Sequence, residues 1–177
     1  MIPGFLITLI TFPGVIVHEF AHQLMCWLLR IPVIKVRYFQ VRVAGAAGYV
    51  IHSMPPSGWA SLVVGFGPLL VNTLLGMVIT FSAAIHWMLG TMTAWDYVVA
   101  WLGISVAMHS FPSTGDAKSI WKSVTGPHNS ILEKMVAVPL IGIIVLGAVG
   151  SVFWLDLAYG FLMAFLVPQG IIKALAG

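Results

Sequence analysis

His18-Glu19-Phe20-Ala21-His22 has the pattern H-E-x-x-H. On a helix, residues i and i+4 share a face, so both imidazoles project the same way, about 6 Å apart at the backbone. That spacing suits two corners of a zinc tetrahedron, with Glu19 placed to serve a water held by the ion. The motif lies within residues 3–29, a stretch apolar enough to cross a bilayer. A charged residue in hydrocarbon costs roughly 2.5 kcal/mol or more, so an ionisable triplet there needs partners, water or a metal. The chemistry implied is hydrolysis inside a membrane.

Zinc in a hydrolase takes three protein ligands and leaves one position open. The chain has five acids, of which Glu19 is already in the motif. Asp96 and Asp156 are expected at the outer surface and Glu133 in a cytoplasmic loop, which leaves Asp116. A helix broken at 112–115 and resumed through Thr125 puts Asp116 roughly 14 Å from the cytoplasmic end, approaching the depth of His18, about 18 Å from Arg30. A helix cap at the break is the lesser alternative for Asp116, and the two roles are compatible. Cys26 falls four residues after His22 on the same face. It reads as a buried apolar thiol, with metal ligation the lesser alternative.

The elements that must position these groups are membrane helices. Of 177 residues, 60% are hydrophobic and only 7% charged, and the mean hydropathy is +1.03. Soluble domains carry roughly 25% charged residues, so the composition predicts an all-α integral membrane protein forming a single membrane domain over 1–177. The first span, over 3–29, stops at Arg30-Ile31-Pro32. It carries the metal motif and lacks a charged leader, so it is not expected to be a cleaved signal peptide. Residues 33–43 mix Lys35, Arg37 and Arg42 with β-branched and aromatic residues, which predicts a strand. With a turn at 44–48 and a second strand at 49–52, they form a short β-hairpin expected at the membrane surface. Further spans are predicted at 59–89 and 94–109, then two more within 132–177, giving about five transmembrane helices. Gly142, Gly147 and Gly150 are expected to permit close helix packing. His52, His86 and His128 fall near predicted interfaces and are expected to be solvated.

With five crossings, all eight lysines and arginines fall on one face, which the positive-inside rule makes cytoplasmic. The N-terminus is then outside, in a multi-pass cell-membrane protein whose site opens toward the cytoplasm. The dispersed cations and the small net charge of +3 argue for contact with the lipid bilayer and against a nucleic-acid partner. The single cysteine excludes an intramolecular disulfide.

His18-Glu19-x-x-His22, Gly67-Pro68 followed by Asn72, and a break containing Pro112 that ends in Asp116 resemble the site-two protease family of intramembrane zinc metalloproteases. The likeness covers a three-helix catalytic core with its hairpin, residues 1–125. It implies one zinc per chain on His18, His22 and Asp116, and Glu19 as the base that activates water. It also implies transmembrane protein substrates held extended by strand addition at 33–52. The family's asparagine-x-x-proline motif reads here His109-Ser110-Phe111-Pro112, and three residues instead of two separate Pro68 from Asn72. Either Asn72 or His109 would then stabilise the oxyanion. These departures suggest a divergent, minimal member without accessory domains.

The same ligands could instead form the transit site of a non-hydrolytic membrane metal carrier. A carrier needs no base beside the metal, so Glu19 favours the metalloprotease. An inactive relative that only binds membrane proteins is a third reading, opposed by the intact motif.

Overall fold

A computed structural model describes residues 4–41, 46–126 and 130–176. Arg42, the first two residues of the expected turn (Ala44 and Gly45) and His128 lie outside them. The first helical stretch is two pieces, α1 (Gly4–Ile10) and α2 (Phe12–Leu28). The break falls at Thr11, whose hydroxyl donates to the Ile7 carbonyl at 2.7 Å. Pro13 follows in the first turn of α2, where its missing N–H leaves no donor unsatisfied. At the other end Arg30 adopts φ 56°, while the amides of Arg30 and Ile31 donate to Trp27 and Cys26. This is a Schellman stop, which satisfies the last carbonyls and turns the chain.

β1 (Val33–Arg37) pairs antiparallel with β2 (Tyr49–His52), in a register from Arg37↔Tyr49 to Val33↔His52 with an irregularity between Val33 and Lys35. The hairpin runs back along α2. Its Tyr38 hydroxyl donates to Gln23, the Phe39 ring lies 5.6 Å from that of Phe12, and Gly48 packs on Glu19. Internal pairing satisfies one edge of each strand, which lets the backbone line a polar cavity at the depth of the motif.

α3 (Gly58–Leu89) starts at Ser57, whose side chain accepts the Ala60 amide, and ends at Gly90 in the left-handed conformation. α4 (Ala94–Met108) begins with a reciprocal Thr93/Asp96 capping box and packs antiparallel to α3. The two backbones touch: a Cβ added at Gly76 would lie 2.8 Å from the Gly103 carbonyl oxygen, and one at Gly103 equally close to that of Gly76. After the expected break, α5 (Thr114–Val124) resumes. Its Ile120 and Val124 pack with Leu62, Ala137 and Ile144 in a buried apolar cluster. A second cluster, including Met25, Cys26 and Val64, joins α2 to α3.

The C-terminal third comprises α6 (Ile131–Gly150), a 3-10 turn, α7 (Leu155–Phe161), a π-helical turn (Leu162–Leu166) and α8 (Val167–Ala176). α6 starts beside Trp59, whose amide donates to Glu133, and reaches Phe111 at Gly147. α7 then continues in the direction of α3: Tyr159 meets Thr73, Ala164 meets Thr80, and Phe165 meets Trp87. The C-terminal segments, expected to be two more spans, therefore follow one another along α3, with Phe165 reaching Trp87 near its end. Apolar length cannot distinguish a reversal from a sidestep, and Trp154 at φ 64° makes the sidestep. Three helical stretches, Gly58–Leu89, Ile131–Phe153 and Leu155–Leu175, are long and apolar enough to cross a membrane, and Ala94–Met108 is shorter but similarly apolar. Exposed apolar side chains such as Leu146, Phe153 and Val78 are consistent with a lipid-facing surface. Of the three glycines expected to permit close packing, Gly147 and Gly150 do so, against Phe111 and Leu155, whereas Gly142 has open space around it.

Candidate metal centre

His18 and His22 project from one face of α2, with their Nε2 atoms 3.1 Å apart. Asp116, in the first turn of α5, places Oδ1 3.4 Å from Nε2 of His22. One donor atom from each residue lies within 4.8 Å of the other two. Bonds of about 2.0 Å to a tetrahedral ion set ligand atoms roughly 3.3 Å apart, which the His18–His22 and His22–Asp116 pairs match, so the trio could hold a metal ion once its third separation closes.

Protonation strengthens that reading. Nδ1 of His18 lies 2.7 Å from the His109 carbonyl oxygen, and Nδ1 of His22 lies 2.9 Å from that of Val64. A carbonyl only accepts, so each ring carries its proton on Nδ1 and, when neutral, turns an Nε2 lone pair toward the centre. With both rings neutral, two lone pairs and a carboxylate oxygen converge. Such a cluster of acceptors is satisfied by a metal ion or by a proton shared between His22 and Asp116, and imidazoles oriented by backbone carbonyls are the usual outer support of a metal site.

Local sequence explains the placement of Asp116. Ser113 caps α5, its hydroxyl accepting the Asp116 amide at 3.2 Å, while Oδ2 of Asp116 accepts the Ser113 amide at 2.6 Å and hydroxyl at 2.7 Å. This is the S-x-x-D form of a capping box. One carboxylate oxygen thus fixes the helix start and the other faces the histidines. Cys26 is fully buried between α2 and α3 and is not part of the trio.

Glu19 is 8% exposed and borders a cavity of about 580 Å³ shared with His18, His22 and Asp116. β2 supplies Tyr49, Val50 and His52 to the same cavity, so His52, expected to be solvated, belongs to the site wall. His86, expected to be solvated, has a side chain 44% exposed and lies 2.6 Å from Asp96 at the far end of α3.

The two expected oxyanion donors are engaged elsewhere. Asn72 is fully buried and does not line the cavity; its amide nitrogen lies 3.2, 3.1 and 3.3 Å from the carbonyl oxygens of Gly14, Val106 and His109. It ties α2, α3 and α4 together, as an interhelical polar residue does. His109 borders the cavity, but its Nε2 lies 2.9 Å from the Thr11 hydroxyl. That hydroxyl gives its proton to Ile7, so the histidine is the donor and its neutral ring has no second N–H to offer.

Several supporting groups could not be found from sequence. The Val64 and His109 carbonyls act through backbone and have no residue signature. Ser113 was legible, because S-x-x-D before a helix announces a cap. Asp156, expected at the outer surface, also lines the cavity, because α7 starts beside the break and not at a distant face. Comparisons with protein-family models, with curated proteins and with solved structures give no match.

Proposed function

We propose that the chain is an intramembrane zinc endopeptidase of the site-two protease type, hydrolysing peptide bonds in or near transmembrane segments of other membrane proteins. The observation that carries this reading is the convergence of two Nε2 lone pairs and one carboxylate oxygen beside a second carboxylate, Glu19, in one cavity. His18, His22 and Asp116 would hold the ion. Zinc, when bound, supplies Lewis acidity toward a carbonyl and lowers the pKa of water. Glu19 takes a proton from the attacking water on its carboxylate and returns it to the leaving amine. The second edge of β2 has no strand partner among the described residues, so an extended segment could add to it within reach of the cavity.

In this reading the end of the bundle bearing Arg30, Lys118, Lys122 and Lys134 faces the cytoplasm, and the N-terminus lies outside. α1–α2, α3 and α4–α5 each cross the bilayer. The C-terminal segments together complete one more crossing, in place of the two expected from hydropathy, so that Lys173 lies at the outer end.

The test is metal analysis of purified protein, combined with cleavage of a panel of single-span substrates by wild type and Glu19→Gln. One zinc per chain in both proteins, with cleavage by wild type alone, supports the reading. Absence of zinc would sink it. Metal flux into proteoliposomes without peptide hydrolysis would favour a carrier.

A further inference from the structure

Three acids border the cavity, Glu19, Asp116 and Asp156, and no lysine or arginine does so among the described residues. Glu19 and Asp116 have places in or beside the cluster. Asp156 has none: it is outside the trio of possible ligands, and neither ion pair among the described residues includes it. Its Oδ1 accepts the neighbouring Leu157 amide at 2.9 Å, a contact that an uncharged asparagine could also make. The dipole of a seven-residue helix also favours an anion in its first turn, but only weakly, so the helix start explains the charge in part.

The position of the residue is also specific. α7 is anchored beside the break by the Tyr159 and Phe111 rings, 4.8 Å apart, and by Gly160 against Met108. This anchoring turns the first residues of α7 toward the cavity, where Ser151 and Ala148 of the preceding turn also contribute. A half-buried carboxylate in an otherwise apolar C-terminal segment is costly to retain unless a cation meets it.

We infer that Asp156 is a specificity-determining residue, an anionic subsite for a lysine or arginine side chain of a peptide lying extended in this cavity. The inference rests on the endopeptidase reading for its substrate, but not on turnover for its test. A divalent ion on the trio meets Asp116 and Glu19 as compensating charges, so Asp156 is the acid left to select a cationic side chain. Opposite charges complementary across an interface discriminate between partners more than they add affinity.

Peptide binding to zinc-loaded, full-length protein in micelles tests this directly. The probes are labelled apolar peptides carrying one lysine, methionine or glutamate, moved stepwise along the sequence. Wild type is expected to bind the lysine peptide about tenfold tighter than its methionine counterpart at one position. Asp156→Asn should erase that ratio while leaving the methionine peptide's affinity unchanged, and Asp156→Lys should invert the preference toward glutamate. Absence of a lysine preference in wild type, or its survival in Asp156→Asn, would overturn the assignment. Wild type that shows the preference yet cleaves nothing would count against the endopeptidase reading and leave the subsite standing.

Discussion

Oδ1 of Asp116 lies 3.4 Å from Nε2 of His22, while Oδ2 of the same carboxylate accepts the Ser113 amide at 2.6 Å. One side chain therefore starts α5 and completes the donor set. The cap holds the carboxylate in a fixed rotamer, so the proposed ligand is already aimed before any ion arrives. Helix geometry does the same for the histidines, and the Val64 and His109 carbonyls fix their rings. Backbone thus preorganises all three groups, with α2 and α5 carrying the ligands and α3 and the end of α4 supplying the carbonyls.

Separating the two duties of Asp116 gives the first prediction. Asp116→Asn retains an acceptor for the Ser113 amide but loses the anionic ligand, so zinc binding should fall while thermal stability of the metal-free protein stays near wild type. Asp116→Ala should lose zinc and a further ~1 kcal/mol of stability with the cap. Ser113→Ala should loosen the rotamer alone and weaken zinc about 10-fold or more. Metal titration alongside thermal unfolding checks all three. Undiminished zinc affinity in Asp116→Asn would remove the residue from the donor set.

Gly48 separates metal binding from proton transfer. A Cβ built there would lie 2.6 Å from Cγ and 2.9 Å from Oε1 of Glu19, and 2.8 Å from the Tyr38 carbonyl oxygen. Something must move, and the Glu19 side chain is the softest neighbour. Gly48→Ala is expected to keep one zinc per chain and lose at least tenfold in peptide cleavage, general-base catalysis being worth about 10²–10⁴. Cleavage equal to wild type would mean that the position of Glu19 relative to β2 has no bearing on activity.

The grouping of His18, His22 and Asp116, which could hold a metal ion, was legible in the sequence because such chemistry imposes spacing: H-E-x-x-H fixes one helix face, and only one remaining acid was expected at a suitable depth. The helix break at 112–115 was legible too, since Pro112 lacks an N–H and Ser113 caps α5. The path of the hairpin was not legible. Lys35 and Arg37 are exposed as they look, but β1 runs along α2 because pairing with β2 satisfies the backbone wherever the hairpin lies. The C-terminal arrangement was hidden for a related reason. Hydropathy reports how apolar α6 and α7 are, but the sidestep at Trp154 depends on packing of Phe111 against Gly147 and Tyr159.

Asn72 illustrates how a plausible catalytic residue can be structural. Its nitrogen faces three carbonyl oxygens from α2 and the C-terminal end of α4, and its own Oδ1 is buried without a partner. Asn72→Ala removes the donor that ties three helices, while the His109 and Val106 carbonyls keep the His18 ring and the His109 amide as partners, and should cost ~1 kcal/mol of stability. Activity per bound zinc should fall less than tenfold, because loss of an oxyanion donor costs about 10²–10³ in turnover. Steady-state cleavage normalised to metal content distinguishes the two. A hundredfold loss of turnover in folded, zinc-loaded protein would return Asn72 to the reaction.

The C-terminal segments reach the candidate metal centre through Tyr159. Its hydroxyl lies 2.8 Å from that of Thr73, which donates to Ser110 at 3.1 Å, and Ser110 donates to the Ala107 carbonyl at 2.6 Å. Each hydroxyl has one proton, so the chain runs in one direction, from Tyr159 to Ala107. Ser110 directly follows His109, whose carbonyl orients His18, and Phe111 packs its ring on Tyr159. Tyr159→Phe removes the head of the chain but keeps the ring contact, and should shift metal affinity only a few-fold. Tyr159→Ala also releases Phe111, so the turn from His109 to Ser113 loses its outer wall. Zinc affinity is then expected to fall about 10- to 100-fold, the usual effect of removing outer-shell support. Competition titration with a chelator measures this without reference to catalysis. Wild-type affinity in Tyr159→Ala would show that α7 covers the core without supporting its ligands.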